Sequence, residues 1–248
     1  MLSTKIKEVT LQDLNGESVF LSKYKGKNTL IFMWASWWRC RDQLPGWQEF
    51  YTNYADQEFE IISVAVDIQG AAVVKPYVEQ LTFPTLIDTE NALANLFGFK
   101  IVPNGIFIGK DGTIRLIKQG FHVTNPEHVD AVRRLIAGTA ENIVLDDEYY
   151  NPSSKVTSLE IQLSQTKFKL GMEYKKNGDL EKALNELDEA LLLDPDNFLI
   201  RKQRWYIRYP EKFSPTIDKE WQQQQLKKER EAEANDCGPD GCILPGTN

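Results

Sequence analysis

The chain reads as α/β: a central sheet with helices on its faces, followed by an α-helical region and a polar tail. Three observations predict this. Residues 30–35 are a continuous apolar run of strand length, the pattern of a parallel strand covered on both faces, and 59–67 (FEIISVAVD) reads as another buried strand. Strand and helix signals alternate over the first 138 residues, whereas past residue 158 only helical spacing remains. The length of 248 residues accommodates two ordinary domains. A hydrophobic fraction of 42% with 26% charged residues excludes a fully disordered chain.

The elements follow in order. Residues 5–11 alternate and Asn15-Gly16 marks a turn, which predicts a strand and a hairpin. After the 30–35 strand, Leu44, Trp47, Phe50, Tyr51 and Tyr54 recur at helical spacing over 41–56, with Pro45 tolerated near the start. The 59–67 strand leads to a short helix over 71–80, with Pro76 near its middle, and to a short strand at 85–87. Residues 90–97 predict a helix closed by Gly98. Residues 105–109 and 113–119 predict strands joined by a turn at Lys110-Asp111-Gly112. Asn125-Pro126-Glu127 opens a helix that runs to Gly138. The first domain is therefore 1–138, and the polar stretch 139–157 reads as a linker.

A second grammar occupies 158–209. Leu163, Phe168, Leu170, Tyr174, Leu180, Ala183, Leu187, Ala190 and Leu191 keep helical spacing. Asn177-Gly178-Asp179 interrupts them once and Asp194-Pro195-Asp196 ends them, giving two helices around a tight turn, with another helix over 196–208. Residues 210–234 contain QQQQ and KKEREAE with almost no apolar stripe, which predicts a solvated polar helix. Residues 235–248 are turn-forming throughout and read as a mobile tail.

The net charge of −7 argues against nucleic acid as a partner, because tracking phosphates needs a basic face. Residues 1–145 hold 14 Lys/Arg against 16 Asp/Glu, so −2 falls there and −5 on the remainder. No stretch approaches the roughly 18–20 apolar residues of a membrane span, and the start lacks a signal-peptide core. The expectation is a cytoplasmic protein without membrane association and with reduced thiols. Three cysteines are too few to staple a fold of this size. Cys40 stands alone, and Cys237 and Cys242 lie on either side of a Gly-Pro-Asp-Gly turn that can bring their sulfurs within bonding distance.

Several pieces of residues 1–138 agree in order and spacing. They are Leu14-Asn15-Gly16, Gly26-Lys27, Trp34-Ala35-Ser36-Trp37, Arg41, Leu44-Pro45, Phe83-Pro84-Thr85-Leu86-Ile87-Asp88, Phe97-Gly98-Phe99, Val102-Pro103 and Asp111-Gly112. Together they resemble the TlpA/ResA-like (redoxin) branch of the thioredoxin superfamily. The resemblance implies a thioredoxin-like central sheet flanked by helices, and a cis-proline at Pro103 that faces the active-site loop and binds substrate backbone. Residues 164–197 resemble one tetratricopeptide repeat, through Leu170, Gly171, Tyr174, Gly178-Asp179, Ala183, Leu187, Ala190 and Pro195. That resemblance implies a protein partner held by the helices.

The site departs from its family. The family's chemistry uses Trp-Cys-x-x-Cys at a helix N-terminus, the first thiolate attacking and the second resolving the mixed disulfide. Here the sequence is WASWWRCRDQLP. Counting forward from Trp34, the nucleophile position holds Trp38; counting back from Pro45, Cys40 falls at the second-cysteine position. The loop is one residue short and the CxxC dithiol is absent. Cys40 would start the following helix, whose free amides favour an anion, and Arg39 and Arg41 would stabilise its thiolate. Trp37, Trp38, Val102 and Pro103 are the candidate substrate-binding residues. His122 and His128 are distant in sequence and read as ordinary surface or turn residues.

The tail pair admits three readings: Cys237 and Cys242 resolve a mixed disulfide on Cys40, they capture a metal or metalloid with help from elsewhere, or they are incidental. Two thiols alone do not complete a zinc site, so capture would need another chain or Cys40 to contribute; no resident metal and no cofactor is expected. The expected function is thiol–disulfide chemistry on protein or small-molecule thiols and disulfides. Cys40, Cys237 and Cys242 would be its catalytic residues. The alternative is a redox-inactive thioredoxin-fold/tetratricopeptide binding or scaffold protein.

Overall fold

β3 (Asn28–Trp34) and β4 (Phe59–Ala65) form the centre of the sheet in the computed structural model, and every residue of both strands is buried. Residues 1–146, 156–213, 218–238 and 241–242 are described, with backbone alone from 234 onward. The chain divides into two compact units. The first comprises Met1–Lys155 together with Asp196–Leu199, and the second comprises Val156–Pro195 and Ile200–Asn248.

In the first unit, β1 (Thr10–Asp13), β2 (Ser18–Phe20), β5 (Thr85–Ile87), β6 (Asn104–Ile108) and β7 (Ile114–Gln119) complete a seven-stranded sheet of order β2-β1-β5-β4-β3-β6-β7. β3 runs parallel to β4, and β4 to β5, as their largely apolar, fully buried sequences suggest. β6 pairs antiparallel with β3, and β7 with β6. The strand expected over 5–11 is shorter in the structure. Ile6 and Val9 are each held by single backbone bonds, to Gly112 and Leu21, and the ladder itself begins at Thr10.

The helix expected over 41–56 is α1 (Leu44–Tyr54), preceded by a 3-10 turn at Arg39–Gln43. Pro45 in the first turn sets this start, because it supplies no amide hydrogen and its ring suits only the opening of a helix. The remaining helices are α2 (Ala71–Val78), α3 (Ala92–Phe97) and α4 (Pro126–Ile136). Asp88 receives the amides of Ala92 at 2.7 Å and Leu93 at 2.9 Å, which starts α3. Asn125 caps α4 through the Glu127 amide. The 139–146 stretch returns to the sheet: the Ile143 amide donates to the Arg115 carbonyl, and Ile143 and Leu145 are buried.

The core is aromatic. Trp47 stacks on Phe121 at 5.4 Å and lies against Phe32 and Phe50. Gly105 permits this arrangement, since a Cβ there would stand 2.4 Å from the Phe121 ring.

In the second unit, α5 (Ser158–Lys176) opens on a capping box between Thr157 and Glu160, and α6 (Leu180–Leu193) is capped by Asp179. The two helices pack closely at Gly171, whose hypothetical Cβ meets the Ala183 carbonyl at 3.1 Å. Phe168, Leu187, Ala190, Leu191 and Ile200 form the core. α7 (Phe198–Arg208) and α8 (Lys219–Asp236) follow. α8 departs from the solvated helix expected over 210–234. Its Glu229 and Glu233 reach the fully buried Arg201 at 2.6 Å each, and Trp221 packs edge-on to Trp205. Ion pairs and an indole anchor this helix where an apolar stripe is missing.

β8 (Cys237–Gly238) and β9 (Gly241–Cys242) form a two-stranded ribbon in which Cys237 is the register partner of Cys242. Their side chains lie outside the described residues. Among the described residues, no helix is long and apolar enough to cross a membrane.

Candidate functional site at the cis-proline

The loop after β3 carries every residue singled out near Cys40. Trp34 is fully buried and its indole N–H donates to Ser63 Oγ at 2.7 Å, so it belongs to the core. Ser36 turns the chain over Asp67: its amide and its hydroxyl donate to the carboxylate at 3.0 and 2.5 Å. Trp37 is buried, whereas Trp38 is 37% exposed.

Cys40 is 2% exposed. Its sulfur accepts from the Ala35 amide at 3.3 Å and donates to the Ala35 carbonyl at 3.6 Å. Burial pushes its thiol up to about 12; the Ala35 amide opposes this, and the nearby Asp67 charge adds to it. The expected stabilisation of a Cys40 thiolate by Arg39 and Arg41 is therefore corrected. Cys40 lies inside a 3-10 turn rather than at the free amides of α1. Arg41 donates to the Ser36 carbonyl at 2.7 Å and to the Tyr77 hydroxyl at 2.9 Å, with its guanidinium over the Tyr77 ring. Arg39 is exposed. Neither cation offsets the burial that keeps the thiol protonated.

Asp67, just past β4, is the second buried acid–base group at this loop. Burial raises its carboxyl to about 6 from an ordinary value of 3.8, although the Ser36 bonds and the Arg41 charge pull it down. The fold therefore favours the protonated form. Its stabilisation is complete below pH 4 and is lost as pH rises through 6. Asp67→Asn is expected to flatten the change in unfolding free energy between pH 4 and pH 7 by up to about 3 kcal/mol. Urea titrations at the two pH values measure it; an unchanged slope would refute the assignment.

Opposite the loop, the Val102-Pro103 peptide is cis. Trp37, Trp38, Val102, Pro103, His122 and Phe198 line a mostly apolar pocket of about 420 Å³. All of them belong to the first unit. The four expected substrate-binding residues thus come together, while Cys40 is absent from the pocket lining.

Two members escaped the sequence reading. His122 and His128 are not ordinary surface residues. His128 is buried, stacks on Phe121 and accepts the His122 amide at 2.9 Å. His122 meets Gln43 at 2.9 Å through Nδ1, and the same Gln43 accepts the Val123 amide, which leaves Nδ1 as the acceptor. Burial, and the Lys118 charge after it, hold both imidazoles below their usual range. The Gln43–His122 bond spans 79 residues and had no local signal. Phe198 had none either, since it reads as the start of a helix.

Residues 2–117 match the AhpC/TSA family. The chain is 31% identical over 116 residues to thiol-disulfide oxidoreductase ResA of Geobacillus thermodenitrificans, covering 46% of this chain and 66% of that protein. It is 32% identical over 105 residues to the ResA of Bacillus thuringiensis subsp. konkukian, covering 41% and 60% respectively. A solved thioredoxin domain of a thiol-disulfide oxidoreductase from Bacteroides vulgatus is 22% identical with a TM-score of 0.45, covering 55% of this chain and 98% of that one. The chain spans 60–66% of the length of these two ResA proteins. The redoxin match, the ResA identities and the cis-proline opposite the Trp34–Trp38 loop all fall in the first unit, which is similar to the TlpA/ResA-like branch of the thioredoxin superfamily.

Proposed function

We propose that the chain is a thiol–disulfide oxidoreductase in which the thioredoxin-like unit receives protein substrates at the cis-proline pocket and Cys237 with Cys242 form the redox dithiol. One observation carries the reading: β8 and β9 set Cys237 directly opposite Cys242. Opposed residues of an antiparallel pair have Cα atoms about 4.5–5.5 Å apart, within the roughly 4.4–6.8 Å that a disulfide spans. The ResA relatives supply the reaction class.

In this scheme one tail thiolate attacks a substrate sulfur. The substrate S–S bond breaks, a mixed disulfide forms, and the departing substrate thiolate takes a proton. The second tail thiol, as its thiolate, attacks the tail sulfur of the mixed disulfide and releases the second substrate thiol. The substrate has then gained two electrons and two protons, and the tail is left as a disulfide for an external dithiol to reduce. Cys40 joins only when the Arg39–Gln43 turn opens, because its thiol is buried and protonated.

Insulin reduction by dithiothreitol measures the activity. The wild-type chain is expected to accelerate it, and Cys237→Ser with Cys242→Ser to remove at least about 90% of that acceleration. Cys40→Ser is expected to retain most of it. Full activity in the tail double variant would overturn the assignment. Loss of activity in Cys40→Ser with the tail intact would return the attacking role to Cys40. A second reading, a peptide-binding module without redox turnover, is favoured by the burial of Cys40, and no acceleration by the wild-type chain would establish it.

A further inference from the structure

The position that the family resemblance assigns to the attacking cysteine is filled by Trp38, and its indole is 37% exposed beside Val102 and Pro103. The ring of Phe198 stands edge-on to it, with centroids 5.9 Å apart and planes at 75°. Phe198 lies 95 residues beyond Pro103 and reaches this face as part of Asp196–Leu199, within the first unit. The two rings and the cis-proline bound one mostly apolar pocket of about 420 Å³. That size lies within the roughly 300–1,000 Å³ typical of ligand sites.

The lip of the pocket also binds main chain. The Leu199 amide donates to the Lys100 carbonyl at 3.1 Å, two residues before Val102. The chain's own Phe198-Leu199 pair thus demonstrates the mode: an aromatic ring against Trp38, followed by a backbone N–H to the loop that leads into the cis-proline. An apolar slot of this kind, next to a backbone edge, suits an extended peptide with one large apolar side chain. An acidic or basic side chain would lose its hydration there against mostly apolar walls.

We infer that Trp38 and Phe198 form an aromatic clamp that selects peptide substrates by a large apolar side chain. In this protein a binding surface has taken the place of the nucleophile. The inference rests on the substrate-binding half of the function proposed above, and its test reads binding alone, so a redox-silent protein could still pass it.

The full-length ¹⁵N-labelled protein is titrated with a capped Gly-Gly-Phe-Gly-Gly peptide and with its Gly-Gly-Ala-Gly-Gly counterpart, following indole N–H resonances. The phenylalanine peptide is expected to bind about tenfold tighter than the alanine peptide. Phe198→Ala is expected to weaken the phenylalanine peptide about 5- to 10-fold and to erase most of the discrimination, with Phe198→Leu recovering part of it. Circular dichroism of each variant confirms that it is folded. Equal affinity for the two peptides would overturn the clamp. So would unchanged binding in Phe198→Ala, or tighter binding there, which would make Phe198 a competitor rather than a wall. Capped phenylalanine amide binding as tightly as the pentapeptide would overturn the peptide as the occupant.

Discussion

Native Cys40 is expected to react with Ellman's reagent at least a thousandfold more slowly than it does in the unfolded chain. The protein has three cysteines, so Cys237→Ser with Cys242→Ser leaves Cys40 as the sole thiol and isolates its rate. The attacking species is the thiolate. Burial moves the thiol from an ordinary value of 9.0 to about 12, which lowers the thiolate fraction near neutrality about a thousandfold. Exclusion of the reagent from a sulfur held between the Ala35 amide and carbonyl slows it further. The fold holds the proton of this group, so it also loses stability as pH rises from about 9 towards 12. Stopped-flow absorbance at pH 7, with and without guanidinium, measures both rates. A native rate within tenfold of the unfolded one would show an open thiol and restore Cys40 as a resting nucleophile.

Arg201→Met is expected to cost the second unit about 3 kcal/mol, in line with removing one partner of a buried ion pair. Arg201 is fully buried and binds Glu229 and Glu233 at 2.6 Å each, as well as the Pro195 carbonyl at 2.7 Å. Burial pushes the Glu229 carboxyl up. The Arg204 charge and the bonds from Gln225, Trp205 and Arg201 more than offset this and hold it below its usual range. With methionine at 201, Glu229 keeps Arg204 but loses one of its two buried cations, and the partly exposed Glu233 turns to solvent. Amide hydrogen exchange over Lys219–Asp236 reads the loss directly, as faster opening of α8. Replacing Arg201, Glu229 and Glu233 together by apolar residues is expected to recover much of it, because no unpaired charge then remains. A loss below about 1 kcal/mol in the single variant would mean that α8 is held chiefly by Trp221.

Much of the first unit was legible in the amino-acid order. The runs at 30–35 and 59–67 are the central parallel pair, and Asn125-Pro126-Glu127 marks the start of α4 to the residue. Trp34 in the core and Trp38 towards solvent follow from their places at the end of a strand and in the loop beyond it. The site was legible only in its local parts. Arg39 and Arg41 adjoin Cys40 in sequence, yet adjacency does not set a pKa. Desolvation does, and desolvation depends on what the rest of the chain packs against the sulfur.

The polar 219–236 helix shows the same limit from another side. Its residues carry no apolar period, so a sequence reading leaves it in water. It is held by cations on α7 whose burial no periodicity reports.

Through its resemblance to the redoxins the sequence implied the cis-proline position and the loss of the CxxC dithiol; by itself it determined the α/β architecture and the separation of three cysteines into one and two. These follow from local pattern, since strand runs, caps, turns and motif spacing are properties of neighbouring residues. What only the tertiary structure decided is that Cys40 is sealed, that His122 and Phe198 join Trp38 at the cis-proline, and that buried ion pairs hold α8. Those outcomes depend on burial and on contacts across 28 to 160 residues, from Arg201 and Glu229 to Trp38 and Phe198. Such contacts have no sequence period, and packing alone selects them.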